Sequence, residues 1–268
     1  MGQQDVTVHW RLGDGHGITA SPTSGTVTVP ASGAATVPIS IRAAAGQPTG
    51  FVRLPITLTS GSSGTPVPAA TGRITVAPPG SILPYADDPG ISDDAAPQKA
   101  DFNDYGGSYS AQALTATGLV PGRPVTFQGV HFTWPDAGPA ELDNVVAHGQ
   151  RIPVPGAERG DTTLGILGAA LGGNGSGTAV VTYTDGSTQK VTLSLSDWTL
   201  RGGSIAPAPG DQVAAVMPYR NYPNGPDHAK PYIFFTSAPL DPAKTVATLT
   251  LPADSLDQDL HVFAIGRG

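Results

Sequence analysis

Aspartates crowd one stretch of the chain: Asp87-Asp88, Asp93-Asp94, Asp101 and Asp104, with Gly90, Ser92 and Asn103 between them. A hard cation such as Ca2+ gathers about six to eight oxygens, and acidic loops with backbone carbonyls supply them. The candidate ligands are Asp87, Asp88, Asp93, Asp94 and Asp104. The spacing is not that of an EF-hand, whose loop ends on a bidentate Glu. The two glutamates, Glu141 and Glu158, lie elsewhere. The alternative is a solvated loop in which Asp serves turns and caps.

A second set is aromatic. Tyr105, Tyr109, Trp198, Tyr219 and Tyr222 fall in or beside segments rich in Gly, Pro and Asn. Sugars present C–H faces that stack on aromatic rings, and their hydroxyls bond to Asp, Asn, Arg and Gln. The run Pro218-Tyr219-Arg220-Asn221-Tyr222-Pro223-Asn224-Gly225 holds that mixture. Candidate carbohydrate contacts are therefore Tyr105, Tyr109, Trp198, Tyr219, Arg220 and Tyr222. The alternative is that these tyrosines anchor loops to the core. Trp134, in the apolar run Phe132-Thr133-Trp134-Pro135, reads as core.

Catalytic signals are weaker. None of His9, His16, His131, His148, His228 and His261 lies in an H-E-x-x-H arrangement, and no G-x-S-x-G elbow occurs. A triad from distant loops, or a glycosidase carboxylate pair, could be assembled from the parts any chain of this size contains. Gly172-Gly173-Asn174-Gly175-Ser176-Gly177 is not a dinucleotide fingerprint, because no βαβ unit surrounds it. It reads as a flexible loop.

These residues must be held by strands. The 268 residues include 35 Gly and 27 Pro, a density that breaks helices. An all-β chain with many turns follows. The formal net charge of −7 argues against nucleic acid or an anionic membrane as partner. No apolar run is long enough to span a bilayer. With no Cys, disulfides and thiolate metal sites are excluded. The excess of Ala, Gly, Pro, Thr and Asp over Lys, Cys and Met is a bias associated with secreted proteins of GC-rich bacteria. Met1-Gly2-Gln3-Gln4 has neither the basic start nor the apolar run of a signal peptide, so the chain reads as a processed or excised piece.

Residues 1–78 read as an immunoglobulin-like sandwich. Val52, Leu54, Ile56 and Leu58 alternate with polar positions, with Pro55 suggesting an edge or bulge. Thr26–Val29, Val37–Ile41 and Arg73–Val76 alternate likewise. Ala77-Pro78-Pro79-Gly80-Ser81 is the expected joint. Residues 79–268 read as a second, jelly-roll sandwich of about eight strands. Asp185-Gly186 marks a hairpin between 178–184 and 189–196. Leu260, Val262 and Ala264 alternate with His261, Phe263 and Ile265. One helix is expected at 110–117, stopped by Gly118.

Residues 15–78, through Gly17–Gly25 and Gly50–Thr57, resemble the immunoglobulin-like domain found beside carbohydrate-binding modules in secreted bacterial glycosidases. Residues 80–265 resemble the galactose-binding-like accessory sandwich of large secreted exo-glycosidases, including α-mannosidase-type enzymes. The carrying segments are Gly90–Asp94, Phe102–Ala111, Phe132–Pro135, Asp143–Ala147 with Gly149-Gln150, Leu195–Trp198 and Leu260–Ala264. Asn103 replaces an Asp of those relatives, and Tyr105 interrupts their glycine run. The resemblance implies a module beside a catalytic domain, here expected N-terminal to the chain, and it carries no catalytic residues. The expected function is thus carbohydrate binding for a secreted bacterial glycoside hydrolase, with glycan and that catalytic domain as partners. Two alternatives stay open: a structural spacer without ligand, and a hydrolase with its site on the loops of the second sandwich.

Overall fold

A computed structural model describes residues 4–44, 47, 50–61, 65–66, 70–76, 81–154, 156–253 and 259–268. The chain is all-β and divides into two compact units, Met1–Ala77 and Pro78–Gly268. The expected joint residues Ala77-Pro78-Pro79-Gly80 lie outside the described residues. No described helix is long and apolar enough to cross a membrane.

The first unit contains β1 (Val6–Leu12), β2 (Ile18–Ser21), β3 (Ser24–Val29), β4 (Ser40–Ala43), β5 (Gly50–Ser60), β6 (Thr65–Pro66) and β7 (Ala70–Val76). β1 pairs with β3 and β5, and β5 also pairs with β6 and β7; β2 and β4 form a separate pair. Trp10, Leu12 and Leu54 are buried, with Val27, Ile56, Leu58 and Ile74 packed against them. Alternation along β5 is as the pattern predicts: Leu54 is buried while Arg53, Pro55 and Thr57 are exposed. At Pro55 the strand is paired with β7 alone, so the residue sits at a local edge of the sheet. β1 has ended at Leu12, opposite Ile56, and the Pro55 carbonyl accepts from Gly13 N. The missing Pro55 N–H thus faces the side where the neighbouring strand has stopped.

The second unit opens with β8 (Ile91–Ser92), β9 (Tyr109–Ser110) and a short helix α1 (Ala111–Ala116). Then follow β10 (Pro124–Phe127), β11 (Val130–Thr133), β12 (Val145–Val146), β13 (Arg151–Pro153), β14 (Thr163–Leu171), β15 (Gly175–Tyr183) and β16 (Thr188–Leu195). The chain ends with β17 (Gln212–Val216), β18 (Arg220–Tyr222), β19 (Gly225–Asp227), β20 (Tyr232–Pro239), β21 (Val246–Thr250) and β22 (Asp259–Arg267). A seven-stranded sheet runs β10-β11-β22-β14-β20-β17, with β12 also on β22. A four-stranded sheet runs β13-β21-β15-β16. Both are antiparallel, and their buried residues form one core, so the unit is a β-sandwich.

The expected hairpin forms, with Gly186 in the left-handed region at φ 83° and the Asp185 carboxylate accepting from Ser187 N. The expected helix forms too, capped by Ser110, whose hydroxyl accepts from Ala113 N at 3.0 Å. The glycine-rich stretch is shorter as a loop than expected: Gly175, Ser176 and Gly177 already pair with Leu195, Ser194 and Leu193.

Seven consecutive residues of β14, Leu164 to Ala170, are buried. A strand in the middle of a sandwich with one wet face would alternate. Here Ile82, Ile91, Phe102, Tyr109, Ala113, Leu114 and Leu119 join the sandwich core. The segment 81–123 thus adds to that core, and it carries the loop 101–107.

Candidate functional site

The loop 101–107 is tied by two side chains. Asp101 Oδ1 accepts from Asn103 N and Gly106 N, and Asn103 Oδ1 accepts from Tyr105 N and Gly107 N. Asp104 and Gly106 take left-handed backbone, at φ 59° and 83°. Phe102, 1% exposed, pins the loop to the core. Its ring lies 4.2 Å from His261 and about 5 Å from both Tyr109 and Trp198. The outcome is that Tyr105 stands 85% exposed on a backbone with little freedom. Asn103 explains itself as well: its Nδ2 donates to the Tyr222 hydroxyl at 3.0 Å, which an Asp carboxylate could not do.

Tyr105 borders an open groove of about 310 Å³, with Asn103, Asp104, Leu171, Gly172, Trp198 and Asp259. Asp104 and Asp259 are exposed and make the groove acidic. Trp198 forms its wall but is only 3% exposed. The turn after it winds around Asp197, whose Oδ1 accepts from Thr199 N, Thr199 Oγ1 and Arg201 N. Arg201 then reaches Gly172 O at 2.6 Å and braces the far rim.

The hairpin β18–β19 separates the remaining candidates by strand alternation. Arg220 and Tyr222 turn towards the groove. The Arg220 guanidinium lies 5.0 Å from the Trp198 ring centre and 4.9 Å from that of Tyr222, and it pairs with Asp227 at 2.7 Å. Asp227 is held below the ordinary carboxyl value, first of all by its hydrogen bond from Arg220. Tyr219 and Asn221 turn the other way, to Asp94. Of the six expected sugar contacts, Tyr105 and Trp198 line the groove, with Arg220 and Tyr222 packed behind them. Tyr219 belongs to a different pocket. Tyr109 corrects the expectation: it is 0% exposed, its hydroxyl donates to Tyr232 O, and burial pushes its phenol well above the ordinary value. It is a pillar of the core. Asn103, Leu171, Gly172 and Asp259 are groove residues that sequence reasoning missed.

The five expected calcium ligands are engaged separately. Asp87 accepts from Val146 N and Gln150, Asp88 from Asn144, and Asp93 from Ala95 N and Gln112. Asp94 accepts from Ser110, Tyr219 and Asn221, and Asp104 is at the groove. Among the described residues no three His, Asp or Glu side chains gather around one point. The geometry gives the calcium expectation no support. A chelator is expected to shift the thermal midpoint by less than about 2 °C, because a ligand bound to the folded state would stabilise it by mass action. A larger drop in EDTA, reversed by Ca2+, would contradict this.

Behind the groove lies a buried polar cluster that sequence reasoning also missed. Asn144 Nδ2 donates to Asp88 and Asp143, so its Oδ1 must accept from His261 Nδ1, 2.8 Å away. Among the described residues His261 Nε2 is buried with no hydrogen-bond partner. Asp143 is 1% exposed. Burial raises its carboxyl to about 8, with the Asp88 charge adding to the rise, against hydrogen bonds from Asn144, Ile91 N and Gly90 N. Burial likewise raises Asp211 to about 6. Between the ordinary value of 3.8 and these values the folded chain binds more protons than the unfolded one. Stability from these groups is therefore complete below about pH 4 and lost as pH rises to about 6 for Asp211 and about 8 for Asp143. The urea midpoint of the second unit should fall from pH 5 to pH 8, and Asp143→Asn should flatten the upper part of that slope. A midpoint that rises over the range would contradict the assignment.

Fold and groove together define an antiparallel β-sandwich module whose distinctive surface is an exposed tyrosine beside acidic groups. No described serine hydroxyl is hydrogen-bonded to a histidine. Residues 81–267 match the sequence model of the AziU2-like beta-sandwich domain, and the chain belongs to that family. Among curated proteins, none matches the sequence.

Proposed function

We propose that the chain is a non-catalytic carbohydrate-binding region of a secreted bacterial glycoside hydrolase, holding glycan near a catalytic domain carried elsewhere. The carrying observation is Tyr105: an aromatic ring, 85% exposed, on a hydrogen-bonded loop at the rim of a groove. A ring already in solvent on a held backbone stacks on a sugar face with little ordering of the main chain. Asn103, Asp104 and Asp259 place polar groups where hydroxyls would lie. The resemblance of 80–265 to glycosidase accessory sandwiches is what favours a glycoside hydrolase as the parent. Binding at one such groove is modest, and its value comes through the tether, which raises the local glycan concentration at the catalytic domain.

The acidic rim sets the class of sugar. Asp104 and Asp259 repel uronates and sulfated sugars, so neutral glycans are the ligands. Affinity electrophoresis tests this: retardation is expected in gels holding a neutral polysaccharide such as galactomannan or mixed-linkage glucan. Retardation by polygalacturonate alone, or by no polysaccharide, would overturn the reading.

A further inference from the structure

On the other face of the β18–β19 hairpin lies a second pocket, of about 250 Å³, lined by Asp94, Pro97, Tyr219, Asn221, Pro226 and His228. Its polar end is built from a buried network. Ser92 Oγ bonds both Ser108 Oγ, at 2.7 Å, and Asn221 Nδ2, at 3.0 Å. Ser92 and Ser108 are 0% exposed and Asn221 is 2% exposed, so the Asn221 amide has one orientation. It donates to Asp94 Oδ1 at 3.0 Å, and Ser110 donates to the same oxygen. Tyr219 donates to Asp94 Oδ2 at 2.6 Å. Burial pushes the Asp94 carboxyl up, but these three hydrogen bonds outweigh it and hold it below the ordinary value.

Asn221 divides its amide hydrogens between Ser92 and Asp94, and the Ser110 hydroxyl, besides Asp94, lies 3.3 Å from the Tyr219 hydroxyl. What remains at the pole are acceptors: a free lone pair on Asp94 Oδ2 and the phenol oxygen of Tyr219. Among the described residues no basic side chain pairs with Asp94. The other walls are Pro97, Gly225, Pro226, His228 and the Tyr219 ring. An anionic pole rich in acceptors, beside two prolines and an aromatic ring and with His228 also on the wall, matches one ligand chemistry. We infer that this pocket binds a primary organic ammonium with a compact apolar body, its N–H donors on Asp94 and Tyr219. Carboxylates and phosphates are repelled, and an alcohol offers a single donor and no charge.

The test uses the intact chain, at fixed ionic strength, with benzylammonium, benzyl alcohol and benzoate as probes, followed by amide NMR shifts. Benzylammonium should shift the amides of Asp94, Ser110 and Asn221 saturably. Benzyl alcohol should bind at least about tenfold more weakly, the order of effect a charged hydrogen bond carries, and benzoate should not bind. Asp94→Asn should reduce benzylammonium to the level of the alcohol, while Tyr105→Ala, in the other groove, should leave it unchanged. Equal binding of ammonium and alcohol, no saturable shift, or full binding by Asp94→Asn would overturn the inference. Should Asp94→Asn fail to fold, the comparison of the three probes on the unaltered chain decides by itself.

Discussion

Replacing Tyr105 with Ala is expected to abolish glycan retention while leaving the thermal midpoint of the chain unchanged. At 85% exposure the ring contributes almost nothing to the fold, and no described aromatic ring packs against it. The loop that carries it is held by Asp101, Asn103 and Phe102, all of which remain. The variant therefore removes a stacking platform and little else. Burying one aromatic face against a sugar is worth about 1–3 kcal/mol, or roughly tenfold to a hundredfold in affinity. For a single modest site that takes binding below detection by calorimetry. Tyr105→Phe should keep most of the affinity, since the ring face rather than the hydroxyl makes the platform. Unchanged binding by Tyr105→Ala would move the site elsewhere on the sandwich.

Phe102→Ala should be the most destabilising of the substitutions at this end of the molecule. Phe102 is 1% exposed and touches the rings of Tyr109, Trp198, His261 and Phe263. Removing it opens a cavity between the segment 81–123 and the seven-stranded sheet. Truncating a buried Phe costs about 3–5 kcal/mol, which is a large share of the stability of a typical domain. The same change releases the loop 101–107 from its anchor, so glycan affinity should fall even in conditions where the variant stays folded. Urea unfolding of the second unit, alongside glycan calorimetry, checks both. A loss under about 1 kcal/mol would mean that the segment is not packed as described.

Local signals carried much of the fold into the sequence. Asp185-Gly186 sets its hairpin by backbone preference alone, and Ser110 with Gly118 brackets α1 by capping chemistry. Period-two alternation was readable in β5, where one face is covered. It was unreadable in β14, where every residue from Leu164 to Ala170 is buried. Cover on both faces is a product of long-range packing and leaves no periodic trace.

The candidate site was partly legible for the same reason. Tyr105 and Tyr109 lie four residues apart in similar company, yet one is exposed and the other sealed in the core. The difference is made by left-handed turns at Asp104 and Gly106 and by the pairing of Tyr109 with Ile91. Tyr219 and Tyr222 fall on opposite sides of a three-residue strand whose existence the turn-rich run 218–225 concealed. The acidic residues are close in sequence, while in space Asp87 accepts from Val146 N and Asp93 from Ala95 N. Asp259 and Leu171 reach the groove from the adjacent ends of β22 and β14, a proximity fixed by strand pairing. The signal that pointed to the groove was compositional: Tyr105 and Trp198 are aromatic residues in turn-rich segments, and both line it.

The most direct measurement is a glycan array probed with the purified chain, once with Ca2+ and once with a chelator. A defined set of neutral glycans retained equally in both conditions, and lost in Tyr105→Ala, is the predicted result. Silence across the array would contradict the carbohydrate-binding account, and retention that survives Tyr105→Ala undiminished would contradict its placement at the groove.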